Sequence, residues 1–318
     1  MRIINLIKKY GIKCCLQKGI LRLLGIDKKI EKQQEAITAI FYYLNNYLIT
    51  DLTSLPPTND ENLRIMQKCD VALLLILDKI CRKHNIDYWL DFGTLLGAIR
   101  HEGFIPWDDD MDVACLSKDY YKLLNILRQE LPNDDFDIAD DHENTMGRIG
   151  FGYKHQSTGI WIDICPVDEF KTNIYSKNIY EEVKLKRKEW RKYYLKHKHC
   201  FTTDRLIDKK NKIFDSKQEG EYTIYHHGCE FLHQRPVLCE KNTIFPLKEH
   251  KFDDFRFYVP QNYSEYLRLM YGDNFLKLPQ GGILHHSLGR GDLSTWALKS
   301  NTNMYSVYEY LLGIAKSI

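Results

Sequence analysis

The 318-residue chain of 37.7 kDa is 44% hydrophobic and 28% charged, which excludes a disordered chain, a collagen-like repeat and a disulfide miniprotein. Its 45 Lys/Arg against 43 Asp/Glu give a net +2, excluding a nucleic-acid binder that relies on bulk positive charge. Nine cysteines, odd in number and without CxxC spacing, indicate a reducing compartment.

The near-zero total hides three charged blocks. Residues 1–32 carry nine Lys/Arg against Asp27 and Glu31. Ile3, Ile4, Ile7, Leu16, Ile20, Leu21 and Leu24 recur there at roughly helical spacing. That pattern suits an anionic membrane surface, or a helix docked on its own domain with its basic face in water. With no signal-peptide pattern and no bilayer-length apolar run, the expected location is cytoplasmic, peripheral at the membrane if this segment binds it. Residues 1–55 are read as a basic helical appendage, closed by a linker with Pro56-Pro57.

Thr58-Asn59-Asp60-Glu61 fits a capping box. The helix it opens places Ile65, Met66, Cys69, Leu73, Ile76 and Ile80 on one face. A short strand follows over 86–90, then a brief helix from Gly93-Thr94 to about Arg100, then a loop over 101–107. A second strand spans 110–116, with a helix capped at Ser117 after it. The second charged block, residues 102–143, holds thirteen acids against three bases and ends in an acidic loop.

On a strand from Asp110, side chains alternate, so Asp110 and Asp112 share a face while Met111 and Val113 point inward. Carboxylates held this close repel unless a cation sits between them, and hard divalent ions are the usual solution. A hairpin over 145–153 and 159–165 adds Asp163, a lone acid among Ile160, Ile162 and Ile164. Buried and unpaired, it would cost several kcal/mol, on the order expected for an isolated charge. A neighbouring metal or an arginine partner removes that cost. Gly93-Thr94, at a strand-to-helix junction, offers backbone N–H groups to a phosphate, and Arg100 and Arg148 are candidate phosphate clamps. The combination describes metal-assisted phosphoryl chemistry without a covalent nucleophile.

The third block, residues 177–217, has fourteen bases against six acids and begins with a long helix. It is read as a solvated face, with docking of an anionic acceptor or membrane as the functional alternative. The chain then turns β-rich over 222–259 and ends its clear elements with a helix from Tyr263 to Tyr271, capped by Asn262 and stopped by Gly272. His and Cys are frequent from His197 to His250, but their spacings fit no zinc finger or ribbon. His285-His286, in a glycine-rich loop, either closes over a phosphate donor or is an ordinary loop. The fold class expected is α+β, with a mixed sheet flanked by helices.

The stretch from Leu90-Asp91-Phe92-Gly93-Thr94-Leu95-Leu96-Gly97 to Trp107-Asp108-Asp109-Asp110-Met111-Asp112 resembles the signature of LicD-type proteins. These belong to the nucleotidyltransferase-fold superfamily, with fukutin and the fukutin-related protein. Trp161-Ile162-Asp163-Ile164-Cys165-Pro166 is similar to the family's second motif, with Cys165 where an aromatic is commoner. Phe245-Pro246-Leu247, Tyr266-Leu267 and Tyr271-Gly272-Asp273 resemble its C-terminal motif. The likeness covers roughly 85–280, within a catalytic domain drawn at 56–280 and followed by an extension at 281–318.

The resemblance implies transfer of a phospho-alcohol, phosphocholine or an alditol phosphate, from a CDP-activated donor to a hydroxyl of a surface glycan or lipid-linked glycan. By position, Asp108, Asp110 and Asp112 match the family's metal-binding acids, for Mg²⁺ or Mn²⁺, and Gly93 and Thr94 its phosphate loop. Asp163 stands where a third carboxylate binds metal or activates the acceptor. The competing readings are a nucleotidyltransferase moving NMP from a triphosphate onto a sugar or alcohol phosphate, and a catalytically silent scaffold.

Overall fold

The computed structural model describes residues 61–132, 134–141, 146–153, 156–170, 179–197, 200, 203–214, 222–225, 238–277 and 303–318. The expected N-terminal appendage, the capping-box residues 58–60, the histidines at 226–233 and the His285-His286 loop lie outside them. Lys277 apart, all the described residues belong to one compact unit. None of their helices is long and apolar enough to cross a membrane.

Helix α1 (Glu61–Lys83) buries the six apolar positions that the helical period selects. It has Glu61 in its first turn and Arg82 and Lys83 in its last, complementing the helix dipole. Asn85 stops it in the left-handed region (φ 52°), a conformation that asparagine tolerates better than most residues. Strand β1 (Tyr88–Leu90) leads through Asp91 into α2 (Phe92–His101), and β2 (Met111–Leu116) follows.

Helix α3 (Ser117–Glu130) starts one residue earlier than the expected cap allows. Its N-cap is Leu116, with no side-chain capping bond, and Ser117 is the first helical residue. The acidic segment after it, expected as a loop, contains strand β3 (Phe136–Asp141), paired antiparallel with β4 (Met146–Tyr153). There Phe136 packs edge-to-face on Phe151, 5.5 Å between ring centroids. Cross-strand aromatic packing outweighs a polar composition that would otherwise favour solvent.

The sheet runs β1-β2-β5-β4-β3, with β5 (Gln156–Phe170) central. β2 lies parallel to β5, and the other pairs along this order are antiparallel, giving the expected mixed sheet. The far end of β5 pairs with β6 (Tyr222–Tyr225), and β6 with β7 (Leu238–Glu240). Between β5 and β6 stands a helical hairpin, α4 (Ile179–His197) and α5 (Thr203–Phe214), with its own small core of Trp190, Leu206 and Ile213.

Beyond β7 come α6 (Lys241–Ile244), the hairpin β8 (Lys248–Phe252) and β9 (Phe255–Val259), and α7 (Tyr263–Tyr271), which Asn262 caps as expected. Residues of the C-terminal motif pack behind β1: Phe245 lies edge-to-face on Trp89, whose Nε1–H donates to the Tyr266 hydroxyl at 3.2 Å. A last helix, α8 (Met304–Ser317), lies against α1 and adds Val307, Leu311 and Ala315 to the main core. The architecture is α+β: a mixed sheet covered by helices.

Candidate active site

The site begins with a tight junction. Asp91, fully buried between β1 and α2, accepts the Phe92 N–H at 2.9 Å and so caps α2, while its own N–H donates to the Asp112 carbonyl at 3.0 Å. Phe92 adopts φ 41°, a left-handed conformation rare for an aromatic; such strain persists only where surrounding contacts over-determine it. Thr94 is buried, and its hydroxyl oxygen accepts the Asp112 N–H at 2.8 Å. The residue expected in a phosphate loop therefore fastens the start of α2 to the start of β2. Gly93 stands against Asp108: a Cβ there would lie 2.8 Å from Asp108 Oδ2.

Asp108, Asp109 and Asp110 precede the strand, which starts at Met111 and not at Asp110. Strand alternation does not govern them, and one carboxylate oxygen from each lies within 4.8 Å of the others. Among the described residues this is the one group of three side chains arranged to hold a metal ion. Asp109, which is buried, was not among the expected ligands, because alternation was read only from Asp110 onward and the family resemblance pointed to Asp108, Asp110 and Asp112. The signal that identifies it is the unbroken Asp-Asp-Asp run itself.

The Asp108 backbone is held from two sides: its N–H donates to the Ile105 carbonyl at 2.9 Å, and its carbonyl accepts Gln67 Nε2 from α1 at 2.8 Å. Burial pushes the Asp108 carboxyl well above the usual carboxylate range. The neighbouring Asp110 and Asp109 push it further, and a side-chain hydrogen bond joins Asp108 to Asp110. Burial likewise raises Asp112, followed by the charges of Asp110, Asp163, Asp91 and Asp108. Crowded oxygen donors that resist ionisation together fit a hard divalent cation, which would restore the charged form.

Across the sheet the site extends as a row. Asp112 on β2 is in register with Asp163 on β5, and Asp163 with Arg148 on β4. Arg148 Nε donates to Asp163 Oδ1 at 2.8 Å, and its Nη2 reaches Oδ2 at 3.4 Å. The guanidinium also lies over the Trp161 ring, 4.8 Å from its centroid. Of the two routes open to Asp163, an arginine partner is therefore present, and Arg148 is an orienting group as much as a clamp.

Arg100, in the last turn of α2, is buried; its Nε donates to His101 Nε2 at 2.9 Å and its Nη1 to the Phe275 carbonyl at 3.4 Å. Burial draws its pKa down to about 10, opposed by the charges of Asp108 and Tyr271. Tyr271, at the end of α7, was not anticipated as a site residue. The residue is 39% exposed, yet loss of hydration around the phenol raises it above the ordinary value, and the charges of Asp112, Asp91 and Asp108 raise it further. The structure thus brings together Gly93, Arg100, Asp108, Asp110 and Asp112, with Thr94 holding the junction and Asp163 and Arg148 continuing the row.

Residues 85–206 match the LicD/FKTN/FKRP nucleotidyltransferase domain. The chain is 27% identical over 249 residues to the lipopolysaccharide cholinephosphotransferase LicD of Haemophilus influenzae, covering 68% of this chain and 92% of that protein. It is 24% identical over 196 residues to the ribitol 5-phosphate transferase FKRP of Mus musculus, covering 62% of this chain and 30% of the mouse protein. A Rickettsia prowazekii protein is 49% identical over 51 residues, 16% of this chain and 19% of its own length.

Proposed function

We propose that this chain, which belongs to the LicD family, is a divalent-metal-dependent transferase that moves a phospho-alcohol from a CDP-activated donor to a glycan hydroxyl. The observation that carries the reading is the convergence of Asp108, Asp109 and Asp110 beside Gly93, continued by Asp112. Relatives with named activities include a cholinephosphotransferase and a ribitol 5-phosphate transferase, which makes phosphocholine and alditol phosphates the cargo classes proposed for this chain.

Asp108, Asp109 and Asp110, with Asp112 beside them, would hold the metal, with Mg²⁺ as the first choice and Mn²⁺ as an alternative for an all-oxygen site. Once bound, it would offset the charge of the donor's phosphates and orient them. Gly93, lacking a Cβ, makes room for the Asp108 carboxylate beside the start of α2, where backbone N–H groups would meet the donor's phosphates. Arg100 adds a buried positive charge close to Asp108.

Asp163, held in orientation by Arg148, is the residue proposed to take the acceptor's proton. As the acceptor oxygen bonds to the phosphorus carrying the alcohol, the bond from that phosphorus to the bridging oxygen breaks and CMP leaves with the electron pair. The acceptor's proton passes to the Asp163 carboxylate. Alignment and charge neutralisation are the main work in such phosphoryl transfers.

The competing nucleotidyltransferase reading uses the same acids and is separated by its products. Incubation with CDP-choline, CDP-ribitol or CDP-glycerol, Mg²⁺ and a glycan acceptor should release CMP and label the acceptor. Release of pyrophosphate from CTP, with no transfer from any CDP-alcohol, would replace this proposal with the alternative.

A further inference from the structure

Helix α4 carries seven Lys/Arg against three Glu, and its two long sides differ. One side holds Trp190, fully buried against Leu206 and Ile213 of α5 and flanked by Tyr193 and Tyr194. The opposite side carries Lys188, Lys192 and Lys196, spaced by four and exposed. None of these three lysines makes a hydrogen bond or ion pair among the described residues. Like charges at that spacing oppose helix formation, so the row is not explained by helix stability. Leu185 and Leu195 stand on the same side, 64% and 48% exposed, ten residues or about 15 Å apart at 1.5 Å per residue.

We infer that this face of α4 docks the protein on an anionic phospholipid bilayer. A row of lysines alone would suit any polyanion, glycan or nucleic acid included. The two leucines decide for a bilayer, because they gain from entering the headgroup–acyl boundary while the lysine stems lie along it and keep their charges at the phosphates. A single exposed leucine needs no explanation; two along a lysine row that has no partner among the described residues form an amphipathic face turned away from Trp190 and the small core beneath it. The inference rests on α4 alone and is independent of the proposed chemistry.

The test is sedimentation of the full chain with phosphatidylcholine vesicles, with and without phosphatidylglycerol. The chain should bind only the anionic vesicles. K188Q/K192Q/K196Q should weaken that binding by about a hundredfold, and Lys192→Gln alone by about fivefold, from the attraction of each lysine to an anionic surface. L185S/L195S should weaken it by roughly tenfold through lost apolar burial, and the binding that remains should be more salt-sensitive. All variants should melt as the parent does, and Lys192→Gln serves if the triple variant fails to fold. Parent-like binding by the lysine variants overturns the proposal, as does failure of the parent chain to bind. Unchanged vesicle binding by L185S/L195S, with dextran sulfate competing, would replace the bilayer with a polyanion.

Discussion

Arg148 and Asp163 face each other from registered positions on neighbouring strands, and on Asp163's other side stands Asp112. The arginine therefore controls where a carboxylate points at the edge of the acidic cluster. If this is its task, Arg148→Ala should lower kcat by about tenfold to a hundredfold while changing KM little, since it misplaces a group needed in the transition state. Arg148→Lys should recover only part of the loss, because an ammonium cannot reproduce the forked contact. Stability should fall by no more than about 1 kcal/mol for a pair with one half-exposed member. A raised KM with unchanged kcat would assign the arginine to donor binding instead.

The carboxylates of the cluster work against the fold that holds them. Asp112→Asn should abolish turnover yet, with divalent ions chelated, raise the melting temperature by a few degrees. It removes one of several like charges crowded in a buried site. Mg²⁺ should stabilise the parent chain and leave the variant nearly unmoved. Melting curves in EDTA and in excess Mg²⁺ decide it; a variant that melts below the parent in EDTA would show that Asp112 is needed for packing.

Gly97 passes so near the following loop that a Cβ would lie 2.5 Å from the Gly103 carbonyl oxygen and 3.1 Å from the Ile105 N. Both are backbone atoms and cannot rotate aside. Gly97→Ala should cost about 1–3 kcal/mol by overpacking, measured by urea denaturation. It should also impair activity beyond the loss of folded protein, because the displaced loop positions Asp108 through the Ile105 carbonyl.

Tyr310 on α8 donates to Asp135 Oδ2 at 2.5 Å, and that bond, with burial and the carboxylate's charge behind it, raises its phenol to about 12. The folded state thus holds this proton more tightly than the unfolded chain does. The contribution is complete below the ordinary tyrosine value of about 10 and is lost as pH rises from there to about 12. Tyr310→Phe should remove one tyrosine that titrates near 12 from the ultraviolet titration and flatten the stability profile above pH 10. The ring is 43% exposed, so screening keeps the effect to about 1 kcal/mol or less.

Much of the site was legible because its chemistry is local. Asp91 to Thr94 and Asp108 to Asp112 lie within about twenty residues of one another, and their types announce metal and phosphate before any folding is known. Asp163 could be singled out as an acid among isoleucines, but its neighbours could not: register with Asp112 and Arg148 is a property of sheet pairing. Asp109 was missed because alternation was read only from Asp110, whereas the three adjacent acids meet in the turn before the strand begins. Tyr271 and Gln67 reach the site from α7 and α1, and no spacing in the chain points to them. In the fold, β3 was hidden by its acids, since strand patterning marks burial and this strand draws on cross-strand aromatics.

The packing of α8 on α1 has a consequence for how the protein comes into being. Cys69 and Met304, 235 positions apart, touch through a sulfur-to-carbonyl contact of 3.7 Å, and Leu311 and Ala315 complete the core around α1. During synthesis α1 emerges early and keeps an apolar flank uncovered until α8 has left the ribosome. A nascent chain in that interval presents the kind of surface that chaperones bind. The closing contact is long-range and slow to find, so the yield of active enzyme in a cell is set in part by how well that flank is guarded while the rest is still being made.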